Sequence, residues 1–430
     1  MAFGPYTLVR RIGHGGMGEV FLAREEAPGR ACVVKKVLPE LAGNAQFLAR
    51  FRDEARVVRR LSHPNIAQVW AMGEVHGELY LAMEYVAGKT LNRLMWRLRK
   101  QGRVLPVGLA LLVAERMCQG LGHAHAVRDE HGQPLLLVHR DLSPANVCIS
   151  YAGEVKIIDF GAAQSALKQA QTAPSVVMGS LAYMAPEHAR KQRVDRRADV
   201  YATGVVLWEL LAWRPLAQQG DVMERWRRAA YPEWVPPSAH RAGLPPEVDA
   251  VVLQALAVAP EARFQDAPAF ARALGAVRER VAPGLTDSHL ARLLSEAFAR
   301  EKPVEDAVLA ELVRGGRPSL RRPLTEKELP AFAPPTALAF EHRALEAPAD
   351  FLPSSQVVLV DAPTSREVRV AFDVDLASPT SALETAALED GNGDGDALVF
   401  SSARSWRPWV AGALFLAALA AGFGAVWLLG

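Results

Sequence analysis

Near the start of the chain, three glycines, a lysine and a glutamate have the types and spacing needed to hold phosphate. In IGHGGMGEV, residues 12–20, Gly13, Gly15 and Gly18 form G-x-G-x-x-G between two strand-like pieces. Glycines also mark ordinary tight hairpins. A dinucleotide fold would need a helix directly after them, whereas EVFLAR reads as a strand, which favours a hairpin folded over phosphates. Next, CVVKKVL carries Lys35 on a strand where Val33, Lys35 and Val37 share one face, so its ammonium can enter a cleft beside apolar groups while Lys36 points away. Alone it would read as a surface lysine on an edge strand. Glu54, in the helical pattern FRDEARVVRRL, answers its charge, and an ion pair would hold Lys35 against the α- and β-phosphates of a nucleotide.

Two further segments, VHRDLSPANV (residues 138–147) and IIDFG (157–161), complete a pattern that resembles the eukaryotic-type, or Hanks-type, Ser/Thr protein kinases. The ordered motifs run from about Tyr6 to Phe270. The resemblance implies an α+β, bilobal protein-kinase-like fold using ATP and Mg²⁺ or Mn²⁺. Asp141 would accept or orient the proton of the substrate hydroxyl, and Asn146 and Asp159 would bind the metal. Ile12, Gly13, Gly15, Gly18, Val20, Val33, Lys35 and Glu54 would line the nucleotide site. So would Met83, Glu84 and Val86 of AMEYVAG, as the back of the adenine pocket and a source of backbone hydrogen bonds to the purine. In the same way Glu187 of Ala185-Pro186-Glu187 would pair with Arg263, and Asp199 would fasten the catalytic loop's backbone. His125 and His139 read as packing and hydrogen-bonding residues, since no further ligand stands at metal spacing.

Between Gly161 and Ala185, Thr172 and Ser175 are the best candidates for autophosphorylation, with Arg140 to receive the phosphate; Ser165 is a further hydroxyl and Ser180 is read as structural. Two residues depart from the family pattern. Val33 stands where an alanine is usual, which narrows the adenine pocket. Ser143 stands where a lysine is usual, which removes one cation beside the transferred phosphate. Tyrosine kinases also lack that lysine, while Pro144 belongs to the Ser/Thr-type loop. A nucleotide-binding pseudokinase acting as a membrane scaffold is the alternative reading.

The elements that must position these residues follow from periodicity. Residues 6–86 alternate like strands with one helical pattern, a small β-rich lobe; residues 87–280 are mostly helical, the larger lobe of a kinase domain over 6–280. A helical extension follows over 281–316, in which SHLARLLSEAFARE places Leu290, Leu293, Leu294 and Phe298 on one face, with Ser288 as N-cap, for packing on the large lobe or, as the alternative, for binding a partner. Residues 317–408, rich in Pro, Ala, Ser and acids, read as a flexible juxtamembrane linker. Its EDGNGDGDALVF imitates a calcium loop but has Ser401 where a glutamate is needed, so a solvated loop is expected.

From Trp409 onward the chain has no charged side chain, and 409–429 is long enough to cross a membrane. Arg404 and Arg407 precede it and tryptophans flank it, so a single-pass anchor in the inner (cytoplasmic) membrane is expected, with the kinase domain in the cytoplasm. The first residues lack the order of a signal peptide, and no sensor domain is expected beyond the span. Ala418 and Gly422 are spaced for close helix contact, a hint of a homodimer. Over the 430 residues a formal net charge of +2 gives no argument for a nucleic-acid partner, and none is expected; the kinase resemblance implies protein substrates. Cys32, Cys118 and Cys148 are far apart, odd in number and never form C-x-x-C, so neither a disulfide framework nor a zinc knuckle is supported.

Overall fold

The computed structural model describes residues 1–15, 18–37, 57–160, 181–216 and 220–315. Glu54, Gly161, the four hydroxyl residues between 161 and 185, the linker and the apolar C-terminal run lie outside them. The small lobe is a six-stranded sheet: β1 (Ala2–Phe3), β2 (Tyr6–Gly15), β3 (Gly18–Glu25), β4 (Ala31–Val37), β5 (Val69–Val75) and β6 (Glu78–Glu84). Its order is β1-β2-β3-β4-β6-β5, antiparallel throughout.

Alternation on β4 sorts the two faces of this sheet. Val33 and Val37 join Ile12, Val20, Leu22, Leu81 and Met83 in the core cluster that continues into the large lobe. Cys32 and Val34 join Phe3, Tyr6, Leu8 and Tyr80 in a separate cluster on the other face. Lys36 follows the second set, pairing with Glu78 at 2.7 Å and lying over the Phe3 ring. Lys35 is therefore delivered to the cleft face by strand geometry alone.

A second sheet, β7 (Gly88–Thr90), β8 (Val147–Ser150) and β9 (Val155–Ile157), floors the cleft at the top of the large lobe. The large lobe is built from α1 (Leu91–Lys100), α2 (Val107–Ala126), α3 (Pro186–Ala189), α4 (Arg197–Ala212), α5 (Val222–Ala230), α6 (Pro246–Ala255) and α7 (Ala267–Val281). After Arg197, every residue of α4 is buried. Such a helix has no polar face to offer water and can exist only as the lobe's axis. Thr90 starts α1 by accepting from the Arg93 N–H, a side-chain cap on the residue that also ends β7.

Two helices extend the lobe, α8 (Asp287–Ala297) and α9 (Lys302–Val313). Leu290, Leu293, Leu294 and Phe298 are all buried, as the periodicity predicts. The N-cap differs from expectation: it is Thr286, which forms a capping box with His289, and Ser288 lies inside the first turn. The two positions are both hydroxyl residues, so the sequence alone does not choose between them.

Candidate active site

The hairpin β2–β3 pairs Gly13 with Val20 and Gly15 with Gly18, so the glycine motif forms the turn end of two strands. Irregular pairing between Arg11 and Gly13 bends it. Gly18 has φ +149°, and a Cβ there would lie 1.7 Å from the Lys36 carbonyl oxygen. Its glycine is thus required by the approach of β4, independently of any phosphate. Ile12, Val20 and Val33 are buried on the cleft-facing side, and Val33 stands opposite Met83 in the β4–β6 register.

Lys35 lies on this face, and its ammonium donates to both carboxylate oxygens of Asp159, at 2.9 and 2.8 Å. Burial by itself would raise the Asp159 carboxyl, but the Lys35 charge and hydrogen bond hold it below the ordinary aspartate value. The predicted partner Glu54 lies outside the described residues. Asp159 has φ +62°, a left-handed conformation that is uncommon for a non-glycine residue. Next to it Phe160 turns into the core, edge-on to His139 with ring centroids 4.7 Å apart.

The loop before β8 carries Asp141 and Asn146. A 3₁₀ turn over Pro144–Asn146 brings the Asn146 carboxamide back to Asp141, whose carbonyl accepts at 2.8 Å and whose carboxylate accepts at 3.3 Å. Ser143 is buried in extended conformation, and its carbonyl accepts the Asn146 N–H at 2.9 Å. Five-residue spacing is what lets one turn close this contact.

Asp199, at the start of α4, holds the loop from below. Its carboxylate accepts the backbone N–H groups of His139 and Arg140, at 2.8 and 3.0 Å, and contacts the His125 imidazole at 2.8 Å. Burial would raise this carboxyl, but the His125 hydrogen bond and the neighbouring imidazoles and amide keep it low. Arg140 needs the anchor, since it has φ +63°; its side chain is exposed. The predicted roles of Asp199, His125 and His139 thus hold.

Glu187 and Arg263 form a fully buried bidentate pair at 2.8 and 2.7 Å, as expected. The guanidinium also donates to the carbonyls of Ala257, Val258 and Arg197 and lies over the Tyr201 ring, so every face of it is used.

At the hinge between lobes, Glu84 turns its side chain away from the cleft. Its carboxylate accepts the Gln68 N–H at 3.1 Å and pairs with Lys156 at 3.0 Å, while its own N–H donates to the Gln68 carbonyl. Val86 is buried against Ala67, Cys148 and Ile158. The Lys156 partner was not predicted; β9 carries it 72 positions away, with no local signal linking the two residues. Cys32, Cys118 and Cys148 are free and buried in three different elements. Burial pushes the Cys32 thiol up to about 12.

With this geometry in view, the comparisons agree. A model of the protein kinase domain matches residues 6–269, and the chain belongs to that family. Among its relatives is the tyrosine-protein kinase MasK of Myxococcus xanthus (strain DK1622), 39% identical over 307 residues, 70% of this chain and 47% of that protein. The serine/threonine-protein kinase PknB of Mycolicibacterium smegmatis is 37% identical over 300 residues, 67% of this chain and 46% of that protein. The chain spans about half the length of the curated relatives it matches. Among solved structures, the Mycobacterium tuberculosis PknI kinase domain superposes with a TM-score of 0.50 at 31% identity, covering 64% of this chain and 97% of that one.

Proposed function

We propose that the chain is an ATP- and Mg²⁺-dependent protein serine/threonine kinase that also phosphorylates itself. The observation that carries this reading is the joint arrangement of Lys35 with Asp159 and of Asp141 with Asn146, two pairs brought together by the Ile158 N–H, which donates to the Asn146 carbonyl at 2.9 Å. Phosphoryl transfer asks the protein for in-line positioning and charge neutralisation rather than covalent help.

The donor set fits the metal. Asp159 and Asn146 supply hard oxygen ligands, and Asp159 is held ionised at neutral pH by its lysine. Mg²⁺ bound there would neutralise charge on the β- and γ-phosphate oxygens. Lys35 would exchange Asp159 oxygens for those of the α- and β-phosphates. Asp141 would take the proton of the incoming hydroxyl, oriented by the Asn146 carboxamide. Asp199 keeps the loop's amides, and hence Asp141, in place.

For the choice of hydroxyl, Pro144 in the loop turn and the names of the PknB relatives support serine and threonine, whereas MasK is named a tyrosine kinase. Phosphoamino-acid analysis of the autophosphorylated chain decides this: phosphoserine and phosphothreonine support the reading, and phosphotyrosine alone removes it.

Membrane attachment through 409–429 is part of the same proposal, supported by the length of its uncharged run and the arginines before it. No helix among the described residues is long and apolar enough to cross a membrane. Alkaline carbonate extraction of cell membranes tests the anchor: the full chain should stay in the pellet, and release into the supernatant would contradict it.

A further inference from the structure

Helix α9 begins 33 residues after the family match ends, yet one of its side chains reaches the hinge. The Glu305 carboxylate accepts from the Lys89 ammonium through one oxygen and from the Tyr151 hydroxyl, at 3.0 Å, through the other. Lys89 is fully buried on β7, three residues after Val86, and Glu305 is 4% exposed. Tyr151 is tied to the hinge a second time, because its N–H donates to the Ala87 carbonyl at 2.8 Å. One carboxylate therefore ties β7 to the residue that follows β8.

The same helix also touches the small lobe. It lies against β4, and Gly315 beyond its end comes beside Arg24 of β3. Across the junction, the Arg10 guanidinium of β2 and the Tyr85 phenol of the hinge both feel the Glu305 charge, which favours the guanidinium's charged form and opposes ionisation of the phenol. Burial pushes the Lys89 ammonium down, and Glu305 opposes that shift. Its neighbour on α9's approach, Glu301, pairs with Arg97 of α1, and its charge acts on Lys89 and Tyr151 less strongly than that of Glu305.

Building on the kinase reading, we propose that Glu305 is a positioning residue for the nucleotide site: it clamps the outer side of the hinge through Lys89 and Tyr151, so that hinge backbone and small lobe meet the purine at a fixed angle. Removing its charge leaves a buried ammonium without a counter-ion, which must move toward water and carry β7 with it.

The test uses the full chain, with ATP KM and kcat measured separately and Mg·ADP binding measured by calorimetry. Glu305→Gln should raise the ATP KM about tenfold, a usual size for coupling between sites, while kcat at saturating ATP changes little. Glu301→Gln should leave the ATP KM unchanged. Should Glu305→Gln fail to fold, the paired change Lys89→Met with Glu305→Leu keeps the volume without the charges and is expected to fold; its ATP KM should still rise, because the Tyr151 hydroxyl loses its acceptor. A folded Glu305→Gln with the wild-type KM, or full recovery of KM by the apolar pair, overturns the assignment. A wild-type chain that neither binds Mg·ADP nor turns over ATP overturns instead the kinase reading beneath it.

Discussion

Lys35 and Asp159, 124 positions apart in sequence, form a two-point ion pair across the cleft, with the ammonium 2.9 and 2.8 Å from the two carboxylate oxygens. The pair joins the small lobe to the large one and holds together the two groups that must face phosphate and metal. Asp159→Asn removes a proposed metal ligand and leaves the ammonium without its counter-charge. We expect a loss of kcat of about a thousandfold or more, by the scale of transition-state charge stabilisers, in Mg²⁺-dependent phosphate transfer. Lys35→Met should lose activity comparably while folding normally.

Asp199 gives a pH-dependent signature. Its folded pKa lies below the ordinary value of 3.8, so its contribution is complete above that value and is lost as pH falls through the folded pKa. In Asp199→Asn the loop amides of His139 and Arg140 lose a charged acceptor. The stability gap between wild type and variant, from denaturant titrations, should be widest near neutrality and narrow only below about pH 4. A gap that widens with acid would contradict the assignment.

The buried pair of Glu187 and Arg263 makes a prediction about stability rather than chemistry. Glu187→Ala leaves a guanidinium uncompensated in the core, at a cost of about 3–5 kcal/mol. Thermal unfolding should show a clearly lowered Tm. Arg263→Lys should rescue little, since an ammonium cannot reproduce the bidentate contact and three carbonyl bonds together.

Ser143 lies buried between Asp141 and the loop turn, where a cation would stand beside the transferred phosphate. Ser143→Lys should raise kcat about tenfold or more if that missing charge limits the rate. An unchanged kcat in steady-state assays would show that the charge is supplied by another group.

Much of this site was legible because its residues lie in short, contiguous motifs whose spacing is set by local geometry. Asp141 and Asn146 are one turn apart, and Val33, Lys35 and Val37 alternate on one strand. Asp199 and the pair of Glu187 with Arg263 followed from family resemblance, which carries long-range pairing that periodicity cannot. Where neither applied, the sequence was silent. Lys89 and Glu305 are 216 positions apart, and nothing in GKT or KPVEDAVL marks them as partners. The same holds for Lys156 with Glu84. The N-cap of α8 shifted by two residues because Thr286 and Ser288 carry equivalent caps and only the packed helix selects one.

The central claim is that this cleft transfers phosphate. The most direct test incubates the full chain with γ-labelled ATP and Mg²⁺, beside Asp141→Asn, and follows label in the protein and in a generic protein substrate. We predict Mg²⁺-dependent incorporation by the wild type that is abolished in Asp141→Asn. No incorporation by a folded wild-type chain that still binds nucleotide, or equal incorporation by Asp141→Asn, would contradict it.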